Sequence, residues 1–160
     1  MTLNIRLATV EDADAIGDIH VTSWQMTYRG IVPQAYLDAM DIKARQATWR
    51  QRLEEGSILH VAENAAGIVG FAAGGPYRGE HLRLRGELYV MYVRALFHRC
   101  GIGASLFATV AASLTQPFGL WVIAANPACR FYEAMGGRLI GKKTEDIGGA
   151  KIEEYLYLYE

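Results

Sequence analysis

Glu87-Leu88-Tyr89-Val90-Met91-Tyr92-Val93, followed after a short gap by His98-Arg99-Cys100-Gly101-Ile102-Gly103, is the stretch that decides the fold. Its first half is rich in aromatic and branched residues, the composition of a β-strand. From Gly101 the pattern turns helical, with Ile102, Leu106, Val110 and Leu114 recurring every fourth residue. Two glycines at a helix start let the backbone approach a ligand closely, and the free N–H groups there attract phosphate oxygens. Gly-x-Gly alone fits an ordinary turn as well. The strand before it and the amphipathic helix after it favour an anion site. A dinucleotide fold is disfavoured, because the third glycine of G-x-G-x-x-G falls on Leu106 and the site lies late in the chain.

Outward from this stretch, Ile5 and Leu7 suggest a first strand, and the acidic turn Glu11-Asp12 after Thr9 starts a helix over 11–28. Gly30 breaks it, Pro33 opens a short second helix through Tyr36, and a third runs near 43–54. Strands are expected at 58–63 and 68–73 around Asn64-Ala65-Ala66-Gly67, with a loop over 74–85. Further on come a strand at 120–123, a helix near 127–135 ended by Gly136-Gly137, and strands at 138–142 and 151–159. The coarse order, β-α-α-β-β-β-α-β-α-β-β, predicts an α/β fold whose sheet mixes parallel and antiparallel pairs.

The chain has 160 residues, which fits one domain over 1–160. Hydrophobic residues make up 51% and charged residues 21%, a globular balance. A formal charge of −1 with interspersed signs offers no field to recruit nucleic acid or an anionic membrane. No apolar run approaches the length of a membrane span, and the first residues do not resemble a signal peptide. Cys100 and Cys129 sit in different motifs, which argues against a disulfide framework and for the cytoplasm. His20, His60, His81 and His98 lack ligand spacing, so no metal is expected.

A second motif follows the strand at 120–123: Asn126-Pro127-Ala128-Cys129-Arg130-Phe131-Tyr132-Glu133-Ala134-Met135-Gly136-Gly137. Together the two motifs resemble the GNAT superfamily of acetyl-CoA-dependent N-acetyltransferases. Its members carry Arg/Gln-x-x-Gly-x-Gly/Ala after the fourth strand and Asn-x-x-Ala-x-x-Phe-Tyr-x-x-x-Gly-Phe/Gly later. Here His98 replaces the first Arg/Gln, and Asn126 lies one residue closer to the tyrosine than usual. The resemblance implies a three-layer fold with a central mixed sheet of about seven strands. It also implies that the amides of Arg99, Cys100, Gly101, Ile102, Gly103 and Ala104, with His98 beside them, bind the pyrophosphate of acetyl-CoA. Met91, Tyr92 and Val93 would pair with its pantetheine arm, and Asn126 is a further contact. The specific motif matches lie within 87–137.

Phe131 and Met135, four apart, are core by their spacing. Tyr132 by itself also fits core packing; with both motifs present, the resemblance implies that its phenol assists the departing thiolate. The attacking amine must lose a proton, and alternation puts Glu87 on one face with Tyr89, Met91 and Val93. The histone-type branch of the family carries a base carboxylate on this strand, and the next strand, Trp121-Val122-Ile123-Ala124, offers no acid. The resemblance thus implies Glu87 as the base, through a water; a solvated strand-start carboxylate and proximity with solvent as proton acceptor are the other readings. By the same resemblance, the first helix and the loop after it line the acceptor pocket. His20, Trp24 and Tyr28 fall four apart, and Tyr36 follows. Aromatic stripes of this spacing also occur as plain core. Arg78, Arg83 and Arg85 stand ready for an anionic acceptor group or for solvent.

The expected activity is acetyl transfer from acetyl-CoA to a primary amine of a small molecule, amino acid derivative or peptide. A non-catalytic acyl-CoA-binding regulatory module is the alternative, and a longer acyl chain a third. Family members often dimerise through sheet edges or C-terminal strands, so a homodimer is also expected.

Overall fold

The computed structural model describes residues 2–160. Seven strands form one sheet: β1 (Asn4–Leu7), β2 (Leu59–Asn64), β3 (Gly67–Pro76), β4 (Gly86–Val93), β5 (Phe118–Ile123), β6 (Arg138–Ile147) and β7 (Ala150–Tyr159). Their order is β1-β2-β3-β4-β5-β7-β6. Every neighbouring pair is antiparallel except β4 and β5, which run parallel. A parallel pair needs a crossover, and α4 (Ile102–Ser113) provides it. The mixed sheet flanked by helices is the α/β architecture expected from the sequence.

Three helices, α1 (Ala13–Thr27), α2 (Gln34–Asp38) and α3 (Ile42–Glu54), join β1 to β2, one more than the coarse order held. The first helix starts later than expected, behind a 3-10 turn at Val10–Asp12. There the Asp12 carboxylate accepts from the Thr9 amide at 2.8 Å and pairs with Arg6 at 2.9 Å. Ile16 and Ile19 of α1 and Trp49 of α3 pack with Leu59, Val61 and Phe71 on one face of the sheet. On the other face α4 and α5 (Ala128–Ala134) cover a larger cluster that includes Leu106, Phe107, Tyr132, Tyr157 and Tyr159. A Cβ on Gly17 would come within 2.7 Å of Gln46 backbone, so the glycine is what lets α1 and α3 approach.

The strand β3 runs on to Pro76, through three residues assigned to a loop by their glycines. More consequential is β4. Its register against β3 slips between Ala73↔Val90 and Gly74↔Leu88, leaving Tyr89 as an extra, bulged residue. The bulge corrects the simple alternation. Leu88 joins Met91 and Val93 against the α4 side, whereas Val90 and Tyr92 pack on the α1 side. Glu87, next to Leu88, therefore points to the face opposite Met91 and Val93.

The C-terminal hairpin is also longer than its sequence suggests. Gly148 and Gly149, with φ of +61° and +88°, make a two-residue turn between two ten-residue strands. The segment Lys142 to Asp146 hid this, because β6 is an edge strand open to solvent and needs no apolar face.

Candidate active site

The glycine motif forms a cradle of free amides. Arg99 and Gly101 both lie in the left-handed region, with φ of +63° and +80°. Such alternation turns successive N–H groups toward a common concavity that suits an anion. Gly101 caps α4 without a side-chain partner, and the helix's first bond is from Ser105 N to Gly101 O at 3.1 Å. The N–H groups of Ile102, Gly103 and Ala104 thus lack the intrahelical acceptors that later residues have. A Cβ at Gly101 would meet nothing within 4 Å, so the glycine serves the backbone angle. At Gly103 the nearest atom would be the Phe131 ring at 3.6 Å, an ordinary contact. His98 folds back, its Nε2 2.7 Å from the carbonyl oxygen of Val93.

The strands ahead of the cradle separate. β4 pairs with β5 only at Gly86↔Phe118 and Glu87↔Gly119. Beyond that point no ladder pair joins β5 to Leu88–Val93. The amide of Arg94 bonds the carbonyl of Val69 at 2.8 Å, which fixes the alternation of the β3–β4 ladder. Val90 and Tyr92 face β3 with their backbone groups, while Met91 and Val93 aim theirs into the gap. The gap is a slot lined by peptide groups that no strand pairs, the Val93 carbonyl being taken instead by His98.

A cavity of about 500 Å³ opens beside this slot. Trp24, Tyr28, Tyr92, Tyr132 and Asn126 all line it. The Trp24 indole donates to the Tyr92 hydroxyl at 2.7 Å, and the Trp24 and Tyr28 rings meet edge-on at 4.5 Å between centroids. Asn126 donates to the Tyr28 hydroxyl at 3.0 Å and accepts from the Ala128 amide at 2.9 Å. Its side chain is spent on tying α5 to α1. Burial pushes the Tyr92 phenol up to about 12 and raises those of Tyr28 and Tyr132 further. All three keep their protons at neutral pH. Among the described residues, no hydrogen bond involves the Tyr132 hydroxyl and no fully buried side-chain oxygen lacks a partner, so this phenol opens onto the cavity.

His20 also lines the cavity, although it is mostly buried. Its Nδ1 accepts from the Trp49 indole at 3.0 Å, and burial lowers its pKa to about 4. The ring is neutral and carries its proton on Nε2. Tyr36 lies outside this cavity, 41% exposed and 6.3 Å from the Trp24 ring centroid.

Glu87 lines the same cavity, buried, with both carboxylate oxygens engaged. Arg78 Nη2 is 3.0 Å from Oε2, and the Arg78 main-chain N–H donates to Oε1 at 3.1 Å. Both of its oxygens thus already accept from Arg78, on the side away from Met91 and Val93. Glu154 and Lys143 also line the cavity, from β7 and β6, outside the two sequence motifs. A signal existed: in the β7 row Ile152, Glu154, Leu156, Leu158, the one charge stands among apolar residues.

The comparisons with known proteins bear on the family and the fold. The model of the acetyltransferase (GNAT) domain family matches residues 55–136. The uncharacterized N-acetyltransferase YuaI of Bacillus subtilis (strain 168) is 34% identical over 157 residues, 95% of this chain and 90% of that protein. An N-acetyltransferase from Staphylococcus aureus Mu50 superposes with a TM-score of 0.73 at 20% identity, over 100% of this chain and 99% of that one. The PaiA N-acetyltransferase of Thermoplasma acidophilum, solved in complex with coenzyme A, gives a TM-score of 0.71 at 19% identity, over 99% and 100%. At these identities the two solved structures speak to the fold.

Proposed function

This chain belongs to the GNAT family of acetyltransferases, and we propose that, as one domain over 1–160 working in the cytoplasm, it acetylates a primary amine from acetyl-CoA. The amine attacks directly in a ternary complex. The observation that carries this reading is the slot between β4 and β5. There the Met91 and Val93 peptide groups face a gap that leads from the amide cradle at 99–104 to the free hydroxyl of Tyr132.

Acetyl-CoA supplies an activated acyl carbon and a good leaving group. The residues of this chain do the rest. The amides of Ile102, Gly103 and Ala104, with the turn at Arg99 to Gly101, hold the diphosphate. Met91 and Val93 bond the amide-bearing arm as a further strand would, and a backbone N–H there polarises the thioester oxygen. Tyr132 donates a hydrogen bond to the sulfur as the C–S bond breaks. Trp24, Tyr28 and Tyr92 form a rigid aromatic wall that excludes water and orients the acceptor. Because Arg78 occupies Glu87, that carboxylate acts by holding the 78–87 loop and not by taking a proton; the ammonium loses its proton to solvent before attack.

Isothermal calorimetry with coenzyme A and its acetyl ester, followed by thiol release across a panel of amines, tests the reading. Micromolar binding and turnover of at least one amine are expected. No heat with either ligand overturns the reading, and binding without turnover on any amine reduces the chain to a binding module.

A further inference from the structure

We infer that Tyr28, Tyr92 and His20 form a wall of hydrogen-bond donors that receives a carboxylate of the acceptor, which makes the substrate an amino acid and not a plain alkylamine. This rests on the acetyltransferase reading above and deepens it.

The charges of the cavity are matched. Arg78 holds Glu87 at 3.0 Å, and Lys143 lies 3.8 Å from its cross-strand partner Glu154. Selectivity then falls to polar groups without formal charge. Three of these line the cavity, and a partner that can only donate fixes the direction of each hydrogen bond. The Trp24 indole N–H has no lone pair to offer, so the Tyr92 oxygen accepts from it at 2.7 Å. The Trp49 indole does the same to His20 Nδ1 at 3.0 Å, and the neutral ring keeps its proton on Nε2. Asn126 has both kinds of atom, but its Oδ1 takes the Ala128 amide at 2.9 Å. Its Nδ2 therefore donates to the Tyr28 oxygen at 3.0 Å.

Each of the three is left with one proton to give. Among the described residues neither phenol donates a hydrogen bond and His20 Nε2 has no partner. No fully buried side-chain nitrogen there is orphaned, so the Nε2–H opens onto the cavity. The three groups also stand together. Tyr92 stacks on His20 with centroids 5.3 Å apart. Trp24 links the two phenols, bonding the Tyr92 hydroxyl and meeting the Tyr28 ring edge-on.

A ligand that offers only N–H groups leaves these protons unanswered, whereas a carboxylate has lone pairs for all of them. Hydrogen bonds to a charged oxygen are also the stronger kind. The local field has the same sign: the Arg45 charge acts on both His20 and Tyr92, and the Arg52 charge on His20. Among the described residues neither arginine forms an ion pair.

Position ties the carboxylate to the reacting nitrogen. Tyr92 lies between Met91 and Val93, whose peptide groups hold the thioester arm in the proposed complex. An oxygen met by its hydroxyl is thus only a few bonds from the attacking amine. Tyr92 packs on the α1 side of the sheet and Tyr132 on the α5 side, so acceptor and departing thiol occupy opposite faces of the slot.

The test titrates α-, β- and γ-amino acids, each beside the amine left when its carboxylate is removed, against the full chain with coenzyme A present, by calorimetry. The best amino acid is expected to bind about tenfold or more tighter than its amine. Tyr92→Phe and Tyr28→Phe, which keep the rings and delete the donors, should each cut that ratio by about threefold or more. Thermal melts check that both variants fold, and the ligand series on the unaltered protein stands without them. A ratio near one, a preference for the amine, or a ratio that survives both substitutions overturns the inference. Thiol release separates it from the reading beneath it. Turnover of amines without carboxylate preference sinks this assignment alone, whereas carboxylate preference in binding without any thiol release sinks the acetyltransferase reading.

Discussion

Arg78 and Glu87 hold each other across the mouth of the β3–β4 connection, with Nη2 3.0 Å from Oε2 and the Arg78 amide 3.1 Å from Oε1. The arginine is well exposed, and it lies over the Tyr89 ring at 3.8 Å from the centroid. The glutamate side chain is nearly closed off, at 6% exposure. A buried charge that loses its only cation costs more than an exposed one that loses its anion. Arg78→Ala should therefore destabilise the fold by about 1–3 kcal/mol, more than Glu87→Gln does, and the double variant should recover part of the loss. Urea unfolding of the four proteins checks this. A cycle with no coupling would mean that the pair is only a solvated contact.

Tyr132 offers a second prediction. Its phenol is held protonated by burial and has no hydrogen-bond partner among the described residues. Tyr132→Phe should lower kcat by roughly 10²-fold while leaving the dissociation constant of acetyl-CoA within about threefold. Steady-state kinetics beside calorimetry reads both. Unchanged kcat under conditions where chemistry limits the rate would remove this residue from the reaction.

The two motif glycines separate folding from binding. Gly101 has φ of +80°, so Gly101→Ala should cost about 1–2 kcal/mol of stability. Gly103 is helical and a methyl there meets only Phe131 at 3.6 Å, so Gly103→Ala should leave the melting temperature level or slightly higher. The same methyl stands where a diphosphate must approach the amides, and coenzyme A affinity should fall at least tenfold. Full affinity in a folded Gly103→Ala protein would relocate the anion site.

His20 sets a pH dependence. Its pKa is about 4 in the fold because burial opposes the charged ring, against the usual 6.5 of an unfolded chain. The unfolded state then binds more protons between those values, so the stability tied to a neutral His20 is complete above pH 6.5 and drains away as pH falls toward 4. The full effect is on the order of 3 kcal/mol. His20→Gln, which keeps an acceptor for the Trp49 indole, should flatten the stability profile over that window. An equally steep profile in the variant would place the titration elsewhere.

The family and the mixed sheet were legible in the residues because both are local patterns. A strand-prone run, a glycine-opened helix and a tyrosine helix closed by Gly136-Gly137 each declare themselves within a dozen positions. The cradle at Arg99 to Ala104 belongs to that class, since its free amides follow from where a helix begins. What the tertiary structure decided lies between elements. The bulge at Tyr89 turned Glu87 away from Met91 and Val93, and no pattern within β4 announces which residue will lack a partner on β3. The pairing of Arg78 with Glu87, the use of Asn126 as a tie to Tyr28, and the cross-strand pair of Lys143 with Glu154 depend on separate elements meeting at one cavity. Sequence periodicity fixes which way a residue faces on its own element, but how strongly a charge is compensated depends on neighbours brought in by folding.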